Sequence, residues 1–138
     1  MLEQVLESSH TGVLTTIDSA GRPRSRWMSP TVVRGRTGFL YTLTSPEFEK
    51  VEELNHNSSV TWLLQTKSLD KVLEVVGKAQ VIDNPALKSE VLEAIGGHLT
   101  TFWRVNPDAT QLVVVETVIE EMTIFEPMKA TKERIQIG

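Results

Sequence analysis

Residues 12–44 run Gly12-Val-Leu-Thr-Thr-Ile17, Asp18-Ser-Ala-Gly21, Arg22-Pro-Arg-Ser-Arg-Trp-Met28, Ser29-Pro-Thr-Val-Val33, Arg34-Gly-Arg-Thr-Gly38 and Phe39-Leu-Tyr-Thr-Leu-Thr44. Three β-rich runs (Gly12–Ile17, residues 24–33 and Phe39–Leu43) are separated by two short segments that each end in Gly. Gly supplies the positive φ that tight turns need, so the stretch reads as a β-meander. Upstream, Leu2, Val5 and Leu6 have helical spacing, which predicts a short helix over residues 2–9.

Downstream, Ser45-Pro46 followed by Glu47, Glu49, Glu52 and Glu53 reads as a helix start running to about Asn55. Ser is a good cap, Pro suits the first helical position, and acids favour the positive end. Ser59–Gln65 and Val72–Ile82 are further strands, the second crossed by Gly77 at an expected bulge or bend. Asp83-Asn-Pro85 opens a helix through Ile95. Residues 98–109 are polar and irregular. Leu112–Phe125 is a long last strand whose alternation slips near Ile119-Glu120-Glu121. The last ten residues, 129–138, read as a flexible polar tail. Six strands joined mostly by hairpins predict a mainly β protein: one 138-residue domain built as a small antiparallel barrel with peripheral helices.

Composition narrows the chemistry. With 40% apolar and 23% charged residues the chain is of ordinary globular make-up. It has no cysteine, which excludes disulfides, thiolate metal sites and thiol catalysis. No apolar run approaches the ~20 residues of a membrane helix, and the acidic first residues do not read as a signal peptide. The expected location is cytoplasmic, with no membrane partner. His10, His56 and His98 lie far apart, so no metal site is expected, and no Ser-His-Asp arrangement or other catalytic group is legible.

Charge points to a ligand. Five of the seven arginines, Arg22, Arg24, Arg26, Arg34 and Arg36, fall between Ser19 and Pro46, a stretch without Asp or Glu in a chain of formal charge −4. Strand alternation puts Arg22, Arg24 and Arg26 on one face. Guanidinium presents a rigid fork of donors matched to phosphate. Thr42, Thr44 and Ser45 leave a strand for a helix start with free N–H groups, and Lys50 follows. Together these predict a site for a small phosphate-bearing ligand. The acidic balance of the whole chain argues against nucleic acid, which takes a basic face. No Gly-rich nucleotide fingerprint is present.

Gly21-Arg-Pro-Arg-Ser-Arg-Trp-Met28, Phe39-Leu-Tyr-Thr-Leu-Thr44, Lys50-Val-Glu-Glu-Leu-Asn-His-Asn57 and Val75-Val-Gly-Lys-Ala79 resemble the pyridoxamine 5'-phosphate oxidase-like FMN-binding split-barrel family. Its general-stress-protein branch is the most similar in length and in the Thr-to-Lys-Val spacing, and the resemblance runs from about residue 8 to 126. It implies a six-stranded antiparallel split barrel, a homodimer, and FMN in clefts at the dimer interface. It further implies that Arg26, aided by Arg24, and Lys50 approach the flavin phosphate. Trp27, Met28 and Ser29 would lie along the isoalloxazine edge, and Tyr41, Thr42, Thr44 and Ser45 beside the ring and phosphate. Trp103 is expected over the cleft or the partner subunit. An FMN-dependent oxidoreductase acting on a small substrate or electron donor follows from the resemblance. The alternative is a flavin- or haem-binding stress protein without turnover, with His98 as the one conceivable axial ligand. Thr31 stands where true pyridoxine-phosphate oxidases have a lysine, Phe48-Glu49 where they have Ser-Arg, and Lys129–Gly138 lacks their Arg-x-His tail. Vitamin B6 oxidation is therefore not expected.

Overall fold

The computed structural model describes residues 2–45, 49–96 and 112–137, with the side chains of Glu49 and Lys50 outside that description. In chain order the elements are α1 (Leu2–Ser8), β1 (Gly12–Ile17), β2 (Pro23–Met28), β3 (Phe39–Thr44), α2 (Glu49–His56), β4 (Ser59–Gln65), β5 (Val72–Ile82), α3 (Pro85–Ile95), β6 (Val113–Glu126) and β7 (Thr131–Gln136), with a 3-10 turn at Pro127–Lys129 before the last strand. All pairings are antiparallel, in the order β2-β1-β4-β5-β6-β3, and β7 also pairs with β6.

The sheet curls into a barrel because the chain beyond β2 returns to β3. Pro30 cannot donate a ladder hydrogen bond, so β2 stops at Met28 rather than reaching residue 33. One residue later the Thr31 and Tyr41 backbones exchange hydrogen bonds of 2.7 and 2.8 Å. That bridge closes the ring.

The barrel is split along β6. Its first half pairs with β3 as far as Val118, and its second half pairs with β7 from Glu121 onward. The exchange of neighbours falls at a bulge: Val76 faces Glu121 while Gly77 faces Ile119, leaving Glu120 as the extra residue. The extra residue resets the alternation. Val115 and Ile119 point into the inner core before it, and Met122 and Ile124 do so after it. Gly77 is needed there because a Cβ would collide with the Val118 carbonyl oxygen and lie 3.0 Å from its carbon.

Two corrections to the sequence reading follow. Among the described residues there are seven strands rather than six, and residues 131–136 of the expected tail form β7, hydrogen-bonded along β6. The physical reason is β6 itself, whose edge past Ile119 has lost β3 and would otherwise expose its backbone groups.

The core has two parts. Inside the barrel Leu14, Leu40, Trp62, Leu64, Leu73 and Val75 are fully buried, with Val5 and Leu6 of α1 and Leu54 of α2 packed against them. Each such aliphatic side chain contributes roughly 1.5–3 kcal/mol of transfer free energy. Trp62 is buried, with its Nε1–H donated to Thr117 Oγ1 at 3.0 Å. Outside the barrel α3 buries Leu87, Val91 and Ile95 against Tyr41, Leu43 and Val114. Its start is fixed by Asn84, whose Oδ1 accepts from Leu87 N, with Pro85 at the first helical position. No described helix is long and apolar enough to cross a membrane.

Candidate functional site

β2 carries the arginines and lies against β1 in a fixed register. Arg24 faces Thr16, Arg26 faces Leu14 and Met28 faces Gly12, so these six share the side that contains the inner core. Ser25 and Trp27 point the other way. Arg22 precedes the strand, so only two of the three expected guanidiniums share its inner face.

The two take acids from outside the acid-free stretch. Asp18 Oδ2 accepts from Arg24 Nε at 2.9 Å, while its Oδ1 accepts from the Ala20 and Arg22 backbone N–H groups and shapes the turn. Gly21, with φ of +81°, completes that turn. The Arg22 N–H and then Arg24 hold the Asp18 carboxyl below the usual carboxylate range. Arg24 is largely exposed and Asp18 half-buried at the surface, so the pair adds little stability.

Arg26 sits differently. Its Nη1 donates to Thr16 Oγ1 at 2.7 Å and to the Leu14 carbonyl at 3.4 Å, and its Nη2 to Glu53 Oε1 at 3.0 Å. Thr16 Oγ1 in turn donates to the same Glu53 oxygen at 2.8 Å. Three elements (β1, β2 and α2) are thus tied by one closed ring of hydrogen bonds. Glu53 is only 8% exposed and Thr16 fully buried, whereas the Arg26 side chain keeps 24% of its surface open. These bonds engage three of the five guanidinium N–H donors.

The β3 residues divide between its two buried faces. Thr42 and Thr44 are buried on the face shared with Leu40, and Thr42 Oγ1 donates to the Ser29 carbonyl at 2.9 Å, fastening the end of β2 to β3. Tyr41 lies on the opposite face with α3. Its hydroxyl donates to Glu116 Oε2 at 2.8 Å, and Gln80 Nε2 donates to Glu116 Oε1 at 3.3 Å. Burial first, then the Glu116 hydrogen bond and charge, push the Tyr41 hydroxyl up to about 12, with nearby Arg36 opposing.

Among the predicted site residues the structure therefore brings Arg26 to α2 and Thr42 to Ser29. It places the Tyr41 side chain apart from Thr42. Ser45 is half-buried at the end of β3, four residues before α2 begins. Trp27 is 66% exposed on the outer face, in register with Val13 of β1 and, across it, Leu63 of β4. Met28 is partly buried against the inner core, and Ser29 is buried. The Lys50 side chain, Trp103 and His98 lie outside the described residues. The sequence reading missed Glu53 and Thr16. The signal available was the surplus of arginines over acids in 19–46, which calls for a carboxylate from elsewhere.

A separate cavity of about 550 Å³ opens between α1, residues 30–34 and the end of α3, lined by Glu3, Glu7, His10, Thr31, Arg34 and Ile95 among others. Apart from Arg34, none of the described residues predicted for the phosphate site lines it.

Seven antiparallel strands in this order, split along β6 and with an arginine-bearing strand tied to a short helix after β3, define a split-barrel protein. The chain belongs to the pyridoxamine 5'-phosphate oxidase family, whose model matches residues 1–125. It is 29% identical over 136 residues to general stress protein 26 of Bacillus subtilis (strain 168), covering 96% of this chain and 91% of that one. Its fold is similar to that of a pyridoxamine 5'-phosphate oxidase-related, FMN-binding protein from Nostoc punctiforme, with TM-score 0.71, 12% identity and coverage of 99% and 94% of the two chains. It is similar also to a haem-binding protein from Mycobacterium smegmatis, with TM-score 0.75, 13% identity and coverage of 97% of this chain and 55% of the other.

Proposed function

We propose that the protein binds FMN as a homodimer in the cytoplasm and is an oxidoreductase acting on a small molecule other than a pyridoxine phosphate. The observation that carries the reading is Arg26. It is held in place by Thr16 and Glu53 on the inner face of β2, part of its surface is open, and α2 packs beside it. A guanidinium locked on one side and open on the other is preorganised for a phosphate. The likeness in fold to the FMN-binding protein from Nostoc punctiforme supports the choice of ligand.

In this reading Arg26 and Lys50 hold the phosphate, with Arg24 at the rim. Thr44 and Ser45 supply polar groups where β3 gives way to α2. The backbone of Trp27–Ser29, fixed by the Thr42 bond to Ser29, presents its polar groups to the flavin ring, and Tyr41 contributes through its backbone and not its hydroxyl. FMN, when bound, supplies a two-electron carrier. The protein's part is to bind, orient and shield. The outer row of exposed Trp27 and Leu63, with half-buried Val13 between them, is the surface a second copy would cover, and Trp103 would lie over the cleft.

The test is the absorbance of the purified protein together with titration by FMN, followed by reduction with NADH or NADPH. Flavin bands that appear on binding and bleach on reduction are the expected result. Protein that neither carries nor takes up FMN refutes the reading. The fold shared with the haem-binding mycobacterial protein supports a second reading, a stress-related carrier without turnover. That reading gains if haem binds in place of FMN, or if bound flavin resists reduction.

A further inference from the structure

We propose that Glu53 is a positioning residue that both aims Arg26 and, through its charge, limits how tightly Arg26 holds a phosphate monoester. This rests on the FMN reading above. A carboxylate beside a phosphate-binding guanidinium repels the anion that the arginine attracts. Here it is built in. Glu53 is 8% exposed, and one of its oxygens receives both the Arg26 Nη2 bond at 3.0 Å and the Thr16 hydroxyl at 2.8 Å. Thr16 closes the ring by accepting from Arg26 Nη1 at 2.7 Å.

Two consequences follow for a ligand. The first is orientation. Arginine loses much rotamer freedom on ordering, and a fork already fixed by three partners forfeits less when the anion arrives. Glu53 also anchors α2, on which position 50 lies one turn earlier, so the same bond sets where that position stands relative to β2. The second is charge. With Glu53 ionised the pair is neutral overall, and an anion on the open side of the guanidinium meets a carboxylate one guanidinium away in a partly desolvated setting. The site is then selective by shape and hydrogen bonding, with weaker purely electrostatic capture than its arginines suggest.

Glu53→Gln keeps an oxygen acceptor of the same shape and removes the charge. Thr16→Val keeps the shape and removes the hydroxyl that steadies the ring. Full-length wild type and both variants are titrated with FMN and with riboflavin, which lacks the phosphate, by flavin fluorescence over a series of ionic strengths. Thermal unfolding is measured alongside. Glu53→Gln is expected to bind FMN about tenfold more tightly, with a steeper loss of affinity as salt rises. Thr16→Val is expected to bind FMN severalfold more weakly. Riboflavin affinity stays within twofold of wild type in both (on the order of the scatter between additive sites). If Glu53→Gln binds FMN no more tightly than wild type, or if riboflavin shifts in parallel, Glu53 is merely structural and the proposal is overturned. Should Glu53→Gln fail to fold, an unchanged FMN affinity in Thr16→Val overturns it equally. Wild type that binds no FMN removes the underlying reading as well, and so is told apart from failure of the role of Glu53 alone.

Discussion

Replacing Gly77 by Ala puts the β5–β6 bulge to a direct test. In an ordinary strand the change would help, because Ala loses less backbone freedom on folding, by about 0.4–1 kcal/mol. Here the new Cβ would run into the Val118 carbonyl oxygen, lie 3.0 Å from its carbon and 3.3 Å from Thr117 Cγ2. The obstacle is backbone, which cannot rotate aside. The two strands must part by ~1 Å or more, enough to break two or three ladder hydrogen bonds at about 1 kcal/mol each. The buried Thr117 and Ile119 lose contacts as well. A total of roughly 3–5 kcal/mol is expected, a large share of the ~5–15 kcal/mol that holds a domain folded. Gly12 is the internal control. A Cβ there meets chiefly the end of the Leu64 side chain, which can turn, so Gly12→Ala is expected to cost ~1–2 kcal/mol. Urea unfolding of the three proteins gives both values at once, with m unchanged if the native state keeps its extent. If Gly77→Ala is as stable as wild type, or no worse than Gly12→Ala, close backbone approach is not why glycine stands at this position.

Other outcomes follow from the site and its surroundings. Arg26→Ala or Lys50→Ala should weaken FMN binding by roughly 1–3 kcal/mol each, read by titration, and unchanged affinity in both rejects the phosphate placement. Tyr41→Phe leaves the buried Glu116 without its strongest donor and should cost about 1–3 kcal/mol in urea unfolding, with FMN affinity little changed. Tyr41 is the chain's one tyrosine, so alkaline titration of tyrosinate absorbance reports on it alone. Its folded value is raised from 10.0 to about 12, so the neutral hydroxyl stabilises the fold fully below pH 10, and that contribution is lost as pH climbs toward 12. A midpoint near 10 in folded protein would contradict the burial. Trp27→Asp should shift sedimentation toward monomer if the Trp27–Val13–Leu63 row is the dimer surface, and an unaltered dimer places the interface elsewhere.

Much of the barrel was legible because its strands alternate or carry turn residues at their ends. The slip at Ile119-Glu120-Glu121 and the lone Gly77 each pointed to the bulge from opposite strands. What local pattern could not supply was non-local need. Thr131–Gln136 has almost no strand signature beyond Ile135, and it becomes β7 because the second half of β6 has no other neighbour on the edge away from β5. β3 is buried on both faces, so alternation does not say which face looks inward, and Tyr41 and Thr42, neighbours in the predicted site, point apart. Glu53 looked like one more acid suited to a helix start. Its pairing with Arg26 depends on α2 folding back over β1, 27 residues from the arginine in sequence.

The division of labour along β6 also fixes when the protein can exist at all. Strand β3 ends at Thr44, yet its ladder partner does not begin until Val113, and the same strand completes β5 and later receives β7. A nascent chain that stops short of residue 113 has an open β5 edge and no ladder for β3, which is left with the Thr31–Tyr41 bridge, the Thr42 bond to Ser29 and its packing against α3. Such an intermediate offers unpaired backbone and bare apolar surface to its neighbours. Barrel closure is therefore a late event in synthesis, and the segment from Val113 onward acts as the keystone on which the preceding strands wait.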